Sequence, residues 1–223
     1  MIIPLALRIS NAFLVRGERT VLIDSGSPLD RAALPKLLAK HGVAAGEISL
    51  VVHTHGHCDH AGCTAQLLRE HGAQAAIHPA DRPMLTSGNS GHLKPTRPSA
   101  RIMHPLLPKD FEPAEAALDL HAGMRLDAFG LAAEVLETPG HTAGSVSLVF
   151  DDGSAIAGDL LIGGHLGLVR RGVPRLPYFA EDLAQLRDSV RRLVARTSGP
   201  IYVGHGGPLE HDAVVRWLEQ GGE

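Results

Sequence analysis

The amino-acid sequence predicts an α+β sandwich, two sheets packed face to face with helices outside, built around a metal centre. Three observations carry this expectation. Residues 54–62 read Thr-His-Gly-His-Cys-Asp-His-Ala-Gly, so His55, His57, Asp59 and His60 place four metal-competent side chains within six residues. Short apolar, β-branched runs alternate with helical spacings in both halves of the chain. Between those halves, at about 86–117, the sequence turns rich in Pro, Gly and Ser and loses its periodicity.

Three strands are expected first, at residues 3–9, 11–16 and 20–24, the last two joined as a hairpin through Arg-Gly-Glu-Arg. Leu34, Leu37 and Leu38 give residues 30–41 a helical spacing, and Gly42 is the stop. Residues 48–53, Ile-Ser-Leu-Val-Val-His, read as a buried strand, and residues 59–71 return to helical spacing. The histidine cluster therefore lies on the loop leaving a strand, with Asp59 and His60 in the first turn of a helix, which is where ligands collect in α/β proteins. A strand is expected at 73–78. Pro95, Pro98, Pro105, Pro108 and Pro113 then mark the segment at about 86–117 as an active-site lid, or as the connection between two halves of a single domain spanning 1–223. His92 and His104 lie in it without ligand-like spacing and read as surface or substrate-facing residues. Strands resume at about 118 and continue through 124–129, 132–137, 145–150 and 154–157, and the tail reads helix at 180–197, strand at 201–203 and helix at about 210–220.

Composition sets the boundaries. A chain of 223 residues with 44% hydrophobic residues can bury a large core. A net charge of -3 without a basic block argues against nucleic acid as a partner, and no apolar run approaches membrane-spanning length. The N-terminus lacks the charged and apolar regions of a signal peptide. Cys58 and Cys63 lie five apart around a helix start, a spacing suited to reduced thiols, so a cytoplasmic location is expected.

The spacing of the histidine loop has a physical rationale. In an extended loop alternate residues point the same way, so His55 and His57 converge on one ion, while Asp59 and His60, rotated by the helix, face a second. Helix capping would require one such residue and not four. Two ions need further ligands, and three glycine-flanked candidates follow predicted strands: His141 in Thr-Pro-Gly-His, Asp159 in Ala-Gly-Asp and His205 in Val-Gly-His. Imidazole and carboxylate ligands suit zinc and also accommodate iron or manganese; two zinc ions per chain are the default expectation.

Taken together, Asp24 after an early strand, the 55–60 loop, His141, Asp159 and His205 resemble, in order and over nearly the full length, the metallo-β-lactamase superfamily. The resemblance implies a four-layer αβ/βα sandwich with a dinuclear site at one edge. It implies one metal on His55, His57 and His141, a second on Asp59, His60 and His205, and Asp159 bridging. By the same resemblance Asp24 orients a ligand histidine, and the activity is metal-assisted hydrolysis, with Asp59 aligning the attacking hydroxide.

The branch is less legible. Against glyoxalase II stands the short tail after His205, and against the lactonases stands Ile162 where they carry a tyrosine. Asp159 argues against the commonest true β-lactamases, and no exosite arm of the ribonuclease Z kind is found. A stand-alone glyoxylase-like hydrolase of a small ester, thioester or lactone is expected. An iron-dependent sulfur dioxygenase and a non-catalytic metal-containing binding protein are the alternatives. Arg170, Arg171 and Tyr178 follow Asp159 closely enough for their loop to overhang the site, the arginines to hold a substrate carboxylate and Tyr178 to stabilise an oxyanion. A homodimer would be unsurprising.

Overall fold

The computed structural model describes residues 1–222. A first sheet of six strands runs in the order β1 (Ile2–Ala6), β2 (Asn11–Arg16), β3 (Thr20–Ile23), β4 (Ile48–Val52), β5 (Gln74–Ile77) and β6 (Leu118–Asp119). Its first two pairings are antiparallel and the remaining three are parallel. Helices α1 (Leu34–Lys40), α2 (Cys58–Ala61) and α3 (Thr64–His71) occupy the crossovers, as parallel pairing requires. After α4 (Arg82–Ser87) and α5 (Pro98–Met103), a second sheet is ordered β12 (Ile201–Tyr202), β9 (Ala155–Ile156), β8 (Val146–Phe150), β7 (Ala133–Glu137). Between β9 and β12 lie a separate two-stranded ribbon, β10 (Ile162–His165) and β11 (Val169–Arg175), and helix α6 (Leu183–Val194); α7 (His211–Glu219) closes the chain.

Strand periodicity explains the four layers. Successive strand residues face opposite sides, and here both sides are buried. Phe13, Val21, Ile23, Leu50 and Val52 join Val135, Val146, Leu148 and Ile156 in a cluster between the sheets. Their neighbours Leu14, Leu22 and Val51 face the other way, onto Leu34 and Leu38 of α1 and Leu67 of α3. On the second sheet Val149 and Ala155 pack outward on Leu186, Val190 and Leu193 of α6 and Val214 and Trp217 of α7. Each fully buried aliphatic side chain of this kind contributes about 1.5–3 kcal/mol. The result is the expected αβ/βα sandwich.

Several elements differ from the sequence expectation. Residues 124–129 are not a strand: Arg125 makes a single bridge with Glu134, and a 3-10 turn covers Asp127–Phe129. Arg125 pairs with both Asp127 and Asp151, and Gly130, at φ 82°, turns the chain back into β7. The helix expected over 59–71 is broken at Gly62, where an added Cβ would stand 2.5 Å from Pro28 Cδ, and Cys63 donates its N–H to Ser25 Oγ. The segment at 86–117 carries the end of α4, helix α5 and a 3-10 turn at His104–Leu106. The β10–β11 ribbon was not expected, and it places Arg170 and Arg171 on an exposed strand.

Candidate metal centre and its cavity

Five strand ends deliver the site to one edge of the sandwich. Asp24 follows β3, His55 and His57 follow β4, His141 follows β7, Asp159 follows β9 and His205 follows β12. All seven candidate ligands come together. His141 Nε2 lies 3.2 Å from His55 Nε2 and 3.0 Å from His57 Nδ1. His60 Nε2 stands 3.8 Å from Asp59 Oδ2, and His205 Nε2 stands 3.3 Å from the same oxygen. Asp159 spans both groups: it lies 3.7 Å from His141 Nε2, 3.4 Å from His60 Nε2 and 3.1 Å from His205 Nε2. Gly204 is obligatory beside them, because a Cβ there would fall 2.2 Å from Asp159 Oδ1.

The ring tautomers are set from behind. His141 Nδ1 donates to the Phe179 carbonyl at 2.8 Å and His205 Nδ1 to the Ile9 carbonyl at 2.6 Å, leaving both Nε2 atoms aimed at the cluster. Asp24, wholly buried and at φ 59°, accepts from His60 Nδ1 at 2.8 Å and from the Thr54 N–H and hydroxyl, each at 2.8 Å. Asp24, which the resemblance expects to orient a ligand histidine, lies against His60.

The electrostatics divide the cluster in two. Around the first group burial dominates, pushing His57 down to about 3 and lowering His55 and His141 as well, so three neutral imidazoles face one another. At His60 and His205 burial also acts downward, but the Asp159 and Asp59 carboxylates outweigh it: His60 is raised well above the ordinary range and His205 up to about 10. Burial raises Asp59 and Asp159, and the facing imidazoles overcome it to hold both below the usual carboxylate range. The second group thus demands positive charge. His60 Nε2 and Asp159 Oδ1 are buried and face each other at 3.4 Å, and among the described residues neither makes a hydrogen bond. Unpaired buried polar atoms are costly, and a cation set between them removes that cost. The donor set of imidazoles and carboxylates fits a pair of divalent ions.

One carboxylate was missed from the sequence. Asp81, wholly buried, accepts from the Gly56 N–H at 2.8 Å, the Gly144 N–H at 2.8 Å and the Thr142 hydroxyl at 2.7 Å. It therefore ties the loop of His55 and His57 to the loop of His141. The available signal was its position: Asp81 follows β5, the parallel neighbour of β4, whose carboxyl end must lie at the same edge.

The cluster forms the floor of a cavity of about 300 Å³ whose lining includes His57, Asp59, His141, Asp159 and His205. Segment 86–117 adds Ser90, Leu93, Met103, Leu107 and Pro108, and the β10–β11 ribbon adds Ile162, Leu166 and Leu168. Tyr178 and Phe179 line it too, with the Arg97 guanidinium stacked 4.5 Å from the Tyr178 ring centroid. Arg170 and Arg171, expected to overhang the site, are absent from the lining because β11 carries them out to solvent; the cation at the cavity is Arg8. His104 sits 6.4 Å from His92 and 6.1 Å from Phe179, ring to ring, outside the cluster. Cys58 and Cys63 are buried free thiols, each pushed up to about 12 by burial and neighbouring carboxylates.

Comparison with known proteins agrees with this geometry. The sequence model of the metallo-beta-lactamase superfamily matches residues 5–205. A probable metallo-hydrolase of Methanocaldococcus jannaschii is 28% identical over 201 residues, 88% of this chain and 87% of that protein. A hydroxyacylglutathione hydrolase of Anaeromyxobacter dehalogenans is 31% identical over 86% of this chain, which spans 58% of that protein. A crystal structure of a protein in a di-iron-bound form superposes with a TM-score of 0.71 at 26% identity, covering 96% of this chain and 97% of that one. The fold, the ordered strand-end motifs and the match over residues 5–205 leave one assignment: the chain belongs to the metallo-β-lactamase superfamily.

Proposed function

We propose that this protein is a dinuclear metal-dependent hydrolase of a small ester, thioester or lactone. The observation that carries the reading is the convergence of seven ligand-type side chains, five of which line a cavity, with His60 Nε2 and Asp159 Oδ1 buried and without a hydrogen bond among the described residues. In this reading His55, His57 and His141 hold one ion, Asp59, His60 and His205 the other, and Asp159 reaches both. Zinc suits the donors, and the structural relative with bound iron makes iron the competing occupant. Bound there, the ions supply an acidified water and polarise the electrophile.

The chain's own residues do the rest. Hydrogen bonds from His60, His141 and His205 to Asp24, Phe179 and Ile9 fix each ring in its ligating orientation. Asp59, with its side chain 26% exposed, faces the cavity and accepts a hydrogen bond from the attacking water. Tyr178 lines the same cavity and donates its hydroxyl to the oxyanion that develops, so Tyr178→Phe should lower kcat by about 100-fold with metal content unchanged. Segment 86–117 serves as the substrate-selecting wall. The test is hydrolysis of a panel of esters, thioesters and lactones by protein loaded in turn with zinc, manganese and iron. Turnover that tracks metal content supports the reading. Loaded protein that leaves the whole panel intact, while the iron form consumes oxygen with a persulfide, would replace it with the dioxygenase alternative.

A further inference from the structure

Outside the ligand cluster the cavity lining is mostly apolar. Leu93, Met103 and Leu107 come from segment 86–117, and Ile162, Leu166 and Leu168 from the β10–β11 ribbon, so apolar side chains from two elements line the cavity with the ligand cluster. Of the polar groups outside the cluster, Ser90 Oγ is already committed, accepting from the Cys58 N–H at 2.8 Å and donating to the Lys109 carbonyl at 3.2 Å. Arg8 and the Tyr178 hydroxyl are the other two. Leu166 and Leu168 are 47% and 75% exposed, an arrangement that costs solvation unless something covers them in use. A peptide-like leaving group, with several amides and charges, would find too few partners here, and each buried group left unpaired weakens binding.

Resting on the hydrolase reading above, we infer that the substrate carries an apolar chain on its scissile carbonyl, seated between segment 86–117 and the β10–β11 ribbon. The cavity of about 300 Å³ sets the size of that chain. Taking about 30 Å³ for a water-sized group, it holds on the order of ten heavy atoms. A chain of about six to eight carbons fills it with the carbonyl at the cluster. Each added methylene then gains about fourfold until the cavity is full, and nothing beyond.

Two measurements test this on the metal-loaded full chain. Binding of the n-alkanoates from acetate to decanoate, followed by calorimetry, reads the cavity without turnover, and hydrolysis of the matching p-nitrophenyl alkanoates reads the reaction. The expected result is a dissociation constant that falls, and a kcat/KM that rises, by about fourfold per methylene, levelling near the eight-carbon acid. Leu168→Glu, at an exposed position, should flatten both series with metal content and melting temperature unchanged. A binding series independent of chain length, or a hydroxyacyl-glutathione thioester hydrolysed in preference to every alkanoyl ester, overturns the inference. Chain-dependent binding with no hydrolysis of any ester sustains the apolar cavity and sinks the hydrolase reading instead.

Discussion

Replacing Asp81 should loosen one metal position and leave the other nearly intact. Its two oxygens take the Gly56 and Gly144 N–H groups, each at 2.8 Å, and the Thr142 hydroxyl at 2.7 Å, in a place wholly closed to water. In Asp81→Asn an amide replaces one oxygen, so at least one of those backbone donors meets another donor. Leaving one buried donor unsatisfied costs about 1–3 kcal/mol, and Asp81→Ala, which orphans both N–H groups, about 2–6 kcal/mol. Glycine at 144 is what lets the loop come this close, since the position a Cβ would take there lies 2.5 Å from Asp81 Oδ1. Because these loops carry His55, His57 and His141, affinity for the ion they would hold should fall by about 10- to 100-fold. Stepwise chelator competition measures the metal loss, and denaturant unfolding of metal-free protein measures the stability loss. Asp81→Asn with parental unfolding and both affinities within about twofold would refute the role assigned to this carboxylate.

Asp24 is hydrogen-bonded to His60, in the other group. Asp24→Asn should weaken the Asp59, His60 and His205 position by about 10- to 100-fold in the same competition assay, and equal loss at both positions would count against it. Among the described residues the Arg8 guanidinium makes no hydrogen bond or ion pair, and it is the cation on the cavity. Arg8→Ala should raise KM for acidic substrates and spare neutral ones, the mark of lost uniform binding, whereas parallel effects on both would discard the assignment. With both thiols pushed up to about 12 and buried, Cys58 and Cys63 should resist iodoacetamide at pH 8 and react once the chain is unfolded; rapid labelling of native protein would contradict this. Metal uptake should release protons, because His60 is raised well above the ordinary range and His205 up to about 10 before loading. The sign follows: apparent metal affinity weakens as pH falls and protons compete for those rings, and a pH-independent affinity between pH 6 and 8 would contradict it.

The metal loop was legible because its information is local. Four ligand-type side chains in six residues after an apolar strand point to metal binding, and the later motifs each stand at the carboxyl end of a strand. Both-sided strand burial was legible too, since runs such as 48–52 are apolar without alternation. What escaped depends on contacts distant in sequence. Asp81 meets its partners 25 and 63 residues away, and no local pattern distinguishes it from a turn aspartate. Arg125 pulls residues 124–129 out of a strand through Asp151, 26 residues on. The β10–β11 ribbon is obscured for a local reason instead: its glycines and the positive φ of Leu166 and Arg170 make its residues read as an irregular loop, whereas the pairing carries Arg170 and Arg171 out to solvent.

Metal stoichiometry tests the central claim most directly. Purified protein equilibrated with excess zinc or iron, dialysed and measured by elemental analysis alongside protein concentration, should retain about two ions per chain, since seven ligands exceed what one tetrahedral ion accepts. His57→Ala, which removes a ligand from one group alone, should retain about one. Parental protein that holds no more than one ion per chain under the same conditions would contradict the dinuclear account.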